Sequence, residues 1–260
     1  MISVKVTGQT RKDCNKTKAM NWLNHISTND DWVGHTAKTL QKTFAAKPGL
    51  YNIDLKGESN TSVLCISSTT YDCLVELHRK YPEARIGALN FASYFNPGGG
   101  FLKGAIAQEE SLCHKSNLYP ALAYSGFYNE RKVDENVPAE YRSEVIYSPD
   151  VMFTIDDETP AFPVDILSCA APNRGRAKVT EESANRELRE RIELIIKLAH
   201  VKDIDYLVLG AWGCGVFKND PKTVAQLFAD VIKEYNTNIK DIIFTMPNSV
   251  MFQIFLDTMC

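Results

Sequence analysis

The 260-residue chain has no apolar run approaching the roughly 20 residues that a membrane-spanning helix needs. Its opening segment, MISVKVTGQTRKDCNK, has no apolar core of the kind a secretory signal carries. A basic excess is also missing: 29 Lys and Arg stand against 32 Asp and Glu, for a formal net charge of -3, which argues against a protein that grips duplex nucleic acid. There is no CxxC pair and no HExxH, so the usual zinc-ligand spacings are absent and no metal is expected. The seven cysteines, Cys14, Cys65, Cys73, Cys113, Cys169, Cys214 and Cys260, are an odd number in a long chain, and reduced, partly buried thiols are expected. Together these absences describe a soluble, cytoplasmic protein. Hydrophobic residues make up 44% of the chain, enough for a sizeable core and too many for disorder.

What is present alternates. Residues 12–46 have a helical pattern, with Trp22 and Trp32 as packing anchors and Pro48-Gly49 as the stop. Strands are predicted at Tyr51–Leu55 and Ser62–Ser67, with a helix over 69–80. The apolar run at 85–92 suits a strand buried on both faces. A Gly-rich loop follows, Asn96-Pro97-Gly98-Gly99-Gly100, then a helix over 105–117. Pro138, Pro149, Pro160 and Pro163 break up residues 126–163, where a loop and a pair of strands, EVIYSP and VMFTID, are expected. A buried strand at 164–170 and a helix at 181–200 come next. The strand at 206–210 runs into a second glycine loop, Gly213-Cys214-Gly215. Asn219-Asp220-Pro221 starts a helix with a capping side chain followed by proline. A strand at 242–246 and a helix capped by Asn248 end the chain. Strands alternating with helices predict one layered α/β domain with helices on both faces, and residues 1–50 as a helical extension packed on it.

Ligands of open α/β sheets bind beyond the carboxyl ends of the strands, and two such ends carry glycines here. Glycine lets backbone N–H groups reach an anion with no side chain in the way. Either loop alone could be only a tight turn; together they could hold a diphosphate. Neither is a standard nucleotide fingerprint. GGGFLK lacks the GK[ST] of a P-loop, and Gly213-Cys214-Gly215 lacks the third glycine of GxGxxG because position 218 is lysine. A dinucleotide-dependent dehydrogenase is therefore disfavoured.

Downstream of the first loop lies Gln108-Glu109-Glu110. Adjacent helical residues point about 100° apart, so the two carboxylates are not expected to face one bond directly. Glu110 shares its stripe with Ile106, Cys113 and Asn117, and Glu109 shares one with Ala105, Leu112 and Ser116. Periodicity does not choose between them. Acidic residues in a first turn also serve simply to oppose the helix dipole.

The stretch LNFASYFNPGGGFLKGAIAQEESLC resembles the signature of the microbial-type poly(ADP-ribose) glycohydrolases, and GAWGCGVFKND resembles that family's diphosphate loop. CAAPN at 169–173 and the helical N-terminal segment fit the same group, so the resemblance runs from about residue 15 to the end. It implies a macrodomain-like three-layer α/β/α fold with a mixed central sheet. It also implies hydrolysis of ribose–ribose O-glycosidic bonds from chain ends, with ADP-ribose polymer or an ADP-ribosylated macromolecule as the partner, and no cofactor, membrane or extended nucleic acid. Carried over by position, Glu110 is the catalytic acid/base and Glu109 positions the substrate ribose. Asn90 hydrogen-bonds the distal ribose, and Gly98, Gly99, Gly100 and Gln108 lie against substrate. Gly213, Cys214, Gly215 and Val216 wrap the diphosphate, and Phe217 packs on the terminal ribose or the adenine edge. Asn173 is a further pocket position.

The chemistry that follows is glycoside hydrolysis through an oxocarbenium-like state. A carboxyl whose acidity is weakened by desolvation protonates the leaving oxygen and then activates water. Two rival classes remain: a reader that holds ADP-ribose without cleaving it, and a hydrolase that removes ADP-ribose from protein or nucleic acid.

Overall fold

A computed structural model describes residues 10–129, 141–175 and 179–259. Pro138 lies outside them. Helices α1 (Arg11–Thr28) and α2 (Asp30–Lys42) lead into strand β1 (Phe44–Ala46) and strand β2 (Ser62–Ile66). Helix α3 (Thr70–Lys80) precedes strand β3 (Ile86–Phe91). A 3-10 turn at Phe101–Lys103 and the short helices α4 (Gln108–Cys113) and α5 (Leu118–Ala123) follow. Strands β4 (Val145–Phe153) and β5 (Phe162–Cys169), helix α6 (Glu181–Val201), strand β6 (Tyr206–Gly210), helix α7 (Pro221–Glu234), strand β7 (Asp241–Thr245) and helix α8 (Ser249–Met259) complete the order.

The seven strands form one mixed sheet in the order β1-β4-β5-β3-β6-β7-β2. From β5 across to β2 the pairing is parallel, while β1 and β4 run antiparallel at the other edge. The central strands are apolar on both faces, and the alternation sorts their side chains into two cores. Leu207 and Leu209 of β6, with Ile242 and Phe244 of β7, pack under α6, α7 and α8. Tyr206, Val208 and Ile243 point the other way, to a core shared with α1, α3, α4 and α5. Trp22 and Trp32 anchor the N-terminal helices there, ring edge to ring face with centroids 5.3 Å apart. Each indole N–H is satisfied by a carbonyl, Ser116 for Trp22 and Glu158 for Trp32.

Four expectations need correction. Residues 12–46 are not all helix: α2 stops at Lys42 and Phe44–Ala46 pairs with Tyr147–Val145, where the Phe44 and Tyr147 rings meet at 5.4 Å. Tyr51–Leu55 forms no strand; the chain there touches the rest at an isolated Lys56–Tyr235 bridge and at the Asn236 N–H donating to the Leu55 carbonyl. The single helix over 105–117 is instead α4 and α5. The chain between them is drawn out to the sheet, with Ser116 bridging Phe153 and Asn117 exchanging hydrogen bonds with the Met152 backbone. Finally, EVIYSP and VMFTID are one strand, β4, which absorbs Pro149 at a bulge between Ser148 and Val151.

β3 and β6 are direct parallel neighbours. Their carboxyl ends lie side by side, and each runs into one of the two glycine loops.

Candidate active site

The two loops and the acidic pair meet in a single cleft of about 380 Å³. Its walls include Gly99, Gly100, Gln108, Glu109 and Glu110 from the first loop and α4, and Gly213, Gly215, Val216 and Phe217 from the second. Four expected residues do not line the cleft. Asn90 is fully buried; its amide nitrogen donates to Glu109 (3.3 Å) and Ser168 (3.0 Å), and among the described residues its amide oxygen has no partner. Gly98 sits behind the cleft against Tyr119 and Cys113. The Cys214 thiol turns away toward the Trp212 carbonyl, and burial pushes it up to about 12, which leaves it inert. Asn173 is likewise set back, donating to the Tyr141 hydroxyl at 3.2 Å.

Glu110 is held at both oxygens. One accepts the Gly100 N–H at 2.7 Å; the other reaches back to the Ala107 N–H at 2.9 Å, as a third-position glutamate does at a helix start. Glu109 accepts the Ser93 N–H at 2.7 Å and the Asn90 amide. Both carboxylates are buried. The expectation that they diverge is corrected here: a methyl group added to Gly99 would sit 2.5 Å from Glu110 Oε1 and 2.9 Å from Glu109 Oε2. Gly99 has φ +60°, so the chain turns left-handed and lets both acids close on the same spot. Six-residue α4 is too short for the 100° rule to decide where long, flexible side chains end.

Burial pushes the Glu109 carboxyl up to about 8, with the neighbouring Glu110 charge adding to it and the Ser93 and Asn90 hydrogen bonds opposing. Gln108, read as a substrate contact, works as a clasp. Its side-chain oxygen accepts the Phe91 N–H at 2.9 Å and its nitrogen donates to the Leu89 carbonyl at 2.8 Å, tying α4 to the end of β3.

The second loop is shaped by one glycine and leaves backbone amides open. Gly213 has φ +74° and a Cβ there would collide with Ala171 and Asn219. Among the described residues, the N–H groups of Gly215, Val216 and Phe217 find no acceptor. Three successive unpartnered amides therefore lie on the cleft wall. Buried Asn219, which sequence reasoning used only as a helix start, pins the loop by donating to the carbonyls of Pro172 (2.9 Å) and Gly213 (3.1 Å). The helix cap itself is Asp220, which accepts the Thr223 N–H, with Pro221 in the first turn. Phe217 leans on Tyr141, whose ring stacks at 4.5 Å on buried Tyr94. Lys103 also lines the cleft and was not expected; a lone lysine after a glycine run carries no signal of its own.

A second cavity of about 550 Å³ adjoins the first, sharing Phe91, Ala107, Gln108 and Ala211 and continuing over Thr70, Thr245 and Met251. It is mostly apolar, as a slot for a flat aromatic base needs to be.

Residues 13–156 match the family model described as microbial-type PARG, catalytic domain. Comparison with curated proteins found no match. Among solved structures, the chain is similar to poly(ADP-ribose) glycohydrolase from Thermomonospora curvata bound to the inhibitor ADP-HPD. The identity is 28% over 94% of this chain and 98% of that one, with a TM-score of 0.81. It is also similar to the enzyme from Deinococcus radiodurans in complex with ADP-ribose, at 31% identity over 86% of this chain and 98% of that one, with a TM-score of 0.72. The seven-stranded mixed sheet between helical layers is the macrodomain-like fold of those enzymes. With the matched residues, the shared fold and the two glycine loops in agreement, the chain belongs to the microbial-type poly(ADP-ribose) glycohydrolase family.

Proposed function

We propose that this cleft hydrolyses the O-glycosidic bond between the riboses of poly(ADP-ribose), releasing ADP-ribose. The observation that carries the reading is the pairing, across one cleft, of three free amides at Gly215–Phe217 with the buried acids Glu109 and Glu110. The amides receive the diphosphate. The adenine enters the apolar second cavity, and Phe217 packs against the sugar. That leaves the far ribose over Gly99, its anomeric carbon beside both carboxyls.

Glu110 enters the step in its protonated form and gives that proton to the leaving 2′-oxygen as the glycosidic bond lengthens and positive charge builds on the ribose. The resulting carboxylate stays oriented by the Gly100 and Ala107 amides and takes a proton from the attacking water. Glu109, kept neutral by burial near pH 7, donates a hydrogen bond to a ribose hydroxyl and spares the site a second negative charge while Glu110 is ionised. The substrate's own diphosphate supports the cation from the other side.

A reader of ADP-ribose would need no buried acid in this place, and burying two carboxyls side by side costs stability. A turnover assay comparing polymer, mono-ADP-ribosylated protein and ADP-ribosylated nucleic acid tests the proposal. Release of ADP-ribose from polymer at the highest kcat/KM supports it; binding without release from any of the three overturns it.

A further inference from the structure

Arg191 carries a charge for which the proposed chemistry has no use. It projects from α6 in a stripe with Leu188, Ile192 and Ile195, and it is fully buried. A buried charge is costly unless it is well paired, and the groups that pair with Arg191 are telling. One is Glu187, a turn earlier on the helix, at 3.3 Å. Two more are backbone carbonyls: Nη1 donates to Ala170 at 2.6 Å and Nη2 to Tyr141 at 3.3 Å. Ala170 immediately precedes Ala171, which lines the catalytic cleft and packs against Gly213. Tyr141 has φ +63°, a left-handed turn that a bulky residue adopts only where its surroundings impose it.

The Tyr141 ring joins three segments behind the cleft. It stacks on Tyr94 at 4.5 Å, meets Phe95 edge-on at 5.8 Å and meets Phe217 at 6.0 Å with the ring planes 62° apart. Its hydroxyl accepts the Asn173 amide at 3.2 Å. Tyr94 and Phe95 lead into the first glycine loop, and Phe217 follows the glycines of the second. Arg191 itself stands behind the cleft wall and not on it. One guanidinium thus fixes the backbone of the tyrosine against which Phe217 leans.

We propose that Arg191 is a positioning residue for substrate binding: by clamping the Ala170 and Tyr141 carbonyls it holds the Tyr141 ring where it sets Phe217 for packing on the substrate sugar. The inference rests on the reading given under Proposed function, which places a sugar on Phe217. A planar guanidinium suits the task, because its donors are fixed in a fork that reaches two carbonyls at once; a lysine ammonium is a compact point charge on a flexible stem.

The test compares ADP-ribose affinity in wild type, Arg191→Lys, Phe217→Ala and the double variant. Arg191→Lys keeps a charge beside Glu187 and gives up the fork. It is expected to weaken ADP-ribose binding about fivefold and to raise KM for polymer by a similar factor, with kcat within about twofold of wild type. On the Phe217→Ala background the same change is expected to alter affinity by less than about twofold, because its effect runs through that ring. An Arg191→Lys protein that binds like wild type overturns the proposal and leaves the reading of the cleft standing. So does a loss that persists in full beside Phe217→Ala, the result that a general loosening of the fold would give. Tyr141→Gly checks the same route without touching the buried charge, since glycine accepts the left-handed turn. It is expected to weaken ADP-ribose binding as Arg191→Lys does, and wild-type affinity there also overturns the proposal. If Phe217→Ala alone binds ADP-ribose as tightly as wild type, no sugar rests on Phe217, and the reading of the cleft falls together with the role of Arg191.

Discussion

The two glycine loops occupy equivalent places at the ends of neighbouring strands, yet they are built in opposite ways. Around Gly99 both acids are held in place: Gly100 and Ala107 hold Glu110, Ser93 and Asn90 hold Glu109, and Gln108 sews the helix to β3. Around Gly215 the amides of Gly215, Val216 and Phe217 have no acceptor among the described residues, the surroundings are open and Val216 is 85% exposed. On the proposed reading the chemical end is prebuilt and the binding end is ordered by its ligand. Electrostatic catalysis needs groups that do not reorganise, whereas a polyanion supplies its own ordering force when it arrives.

The largest expected effect lies at the prebuilt end. Glu110→Gln should lower turnover by about 10²–10⁴-fold, the usual range for a lost acid/base, while ADP-ribose affinity stays close to wild type. Gly99→Ala comes next. It forces a positive φ on alanine and places a methyl against both acids, so turnover should drop at least tenfold with about 1–3 kcal/mol lost in denaturant unfolding. The matching change in the open loop, Gly215→Ala, meets nothing within 4 Å and should leave stability within about 0.5 kcal/mol. Equal losses from the two alanines would break the comparison. Asn219→Ala should raise KM more than it lowers kcat, because it frees the second loop without touching an acid.

The smallest effect is on stability against pH. A carboxyl raised in the folded state is an acid the fold prefers protonated. Its contribution is fully present below the ordinary carboxyl range and is lost as pH rises through about 8. Tm should therefore slope downward across that window, and Glu109→Gln should flatten the slope. An unchanged slope in the variant would mean that Glu109 is not the group concerned.

The fold was legible in the sequence wherever burial was complete. β3, β6 and β7 are mostly apolar, buried runs, and α7 shows its stripe from Val224 to Ile232. It was illegible wherever pairing was decided at a distance. Phe44–Ala46 becomes a strand because Tyr147 is there to receive it, and Asn117 leaves its helix because Met152 offers a better partner. At the site, the glycines and the acidic pair could be read because their spacing is the family's. The supporting groups could not: Asn219, Ser93 and the Tyr94–Tyr141 stack act through contacts that ordinary side chains make only once the chain has closed.

The most direct test of the central claim is a crystal structure of the Glu110→Gln protein with ADP-ribose. The account predicts the diphosphate on the amides of Gly215–Phe217, the adenine in the apolar cavity beside Met251 and the far ribose over Gly99, within hydrogen-bond reach of positions 109 and 110. A ligand whose diphosphate contacts neither glycine loop, or whose far ribose lies away from both glutamates, would contradict it.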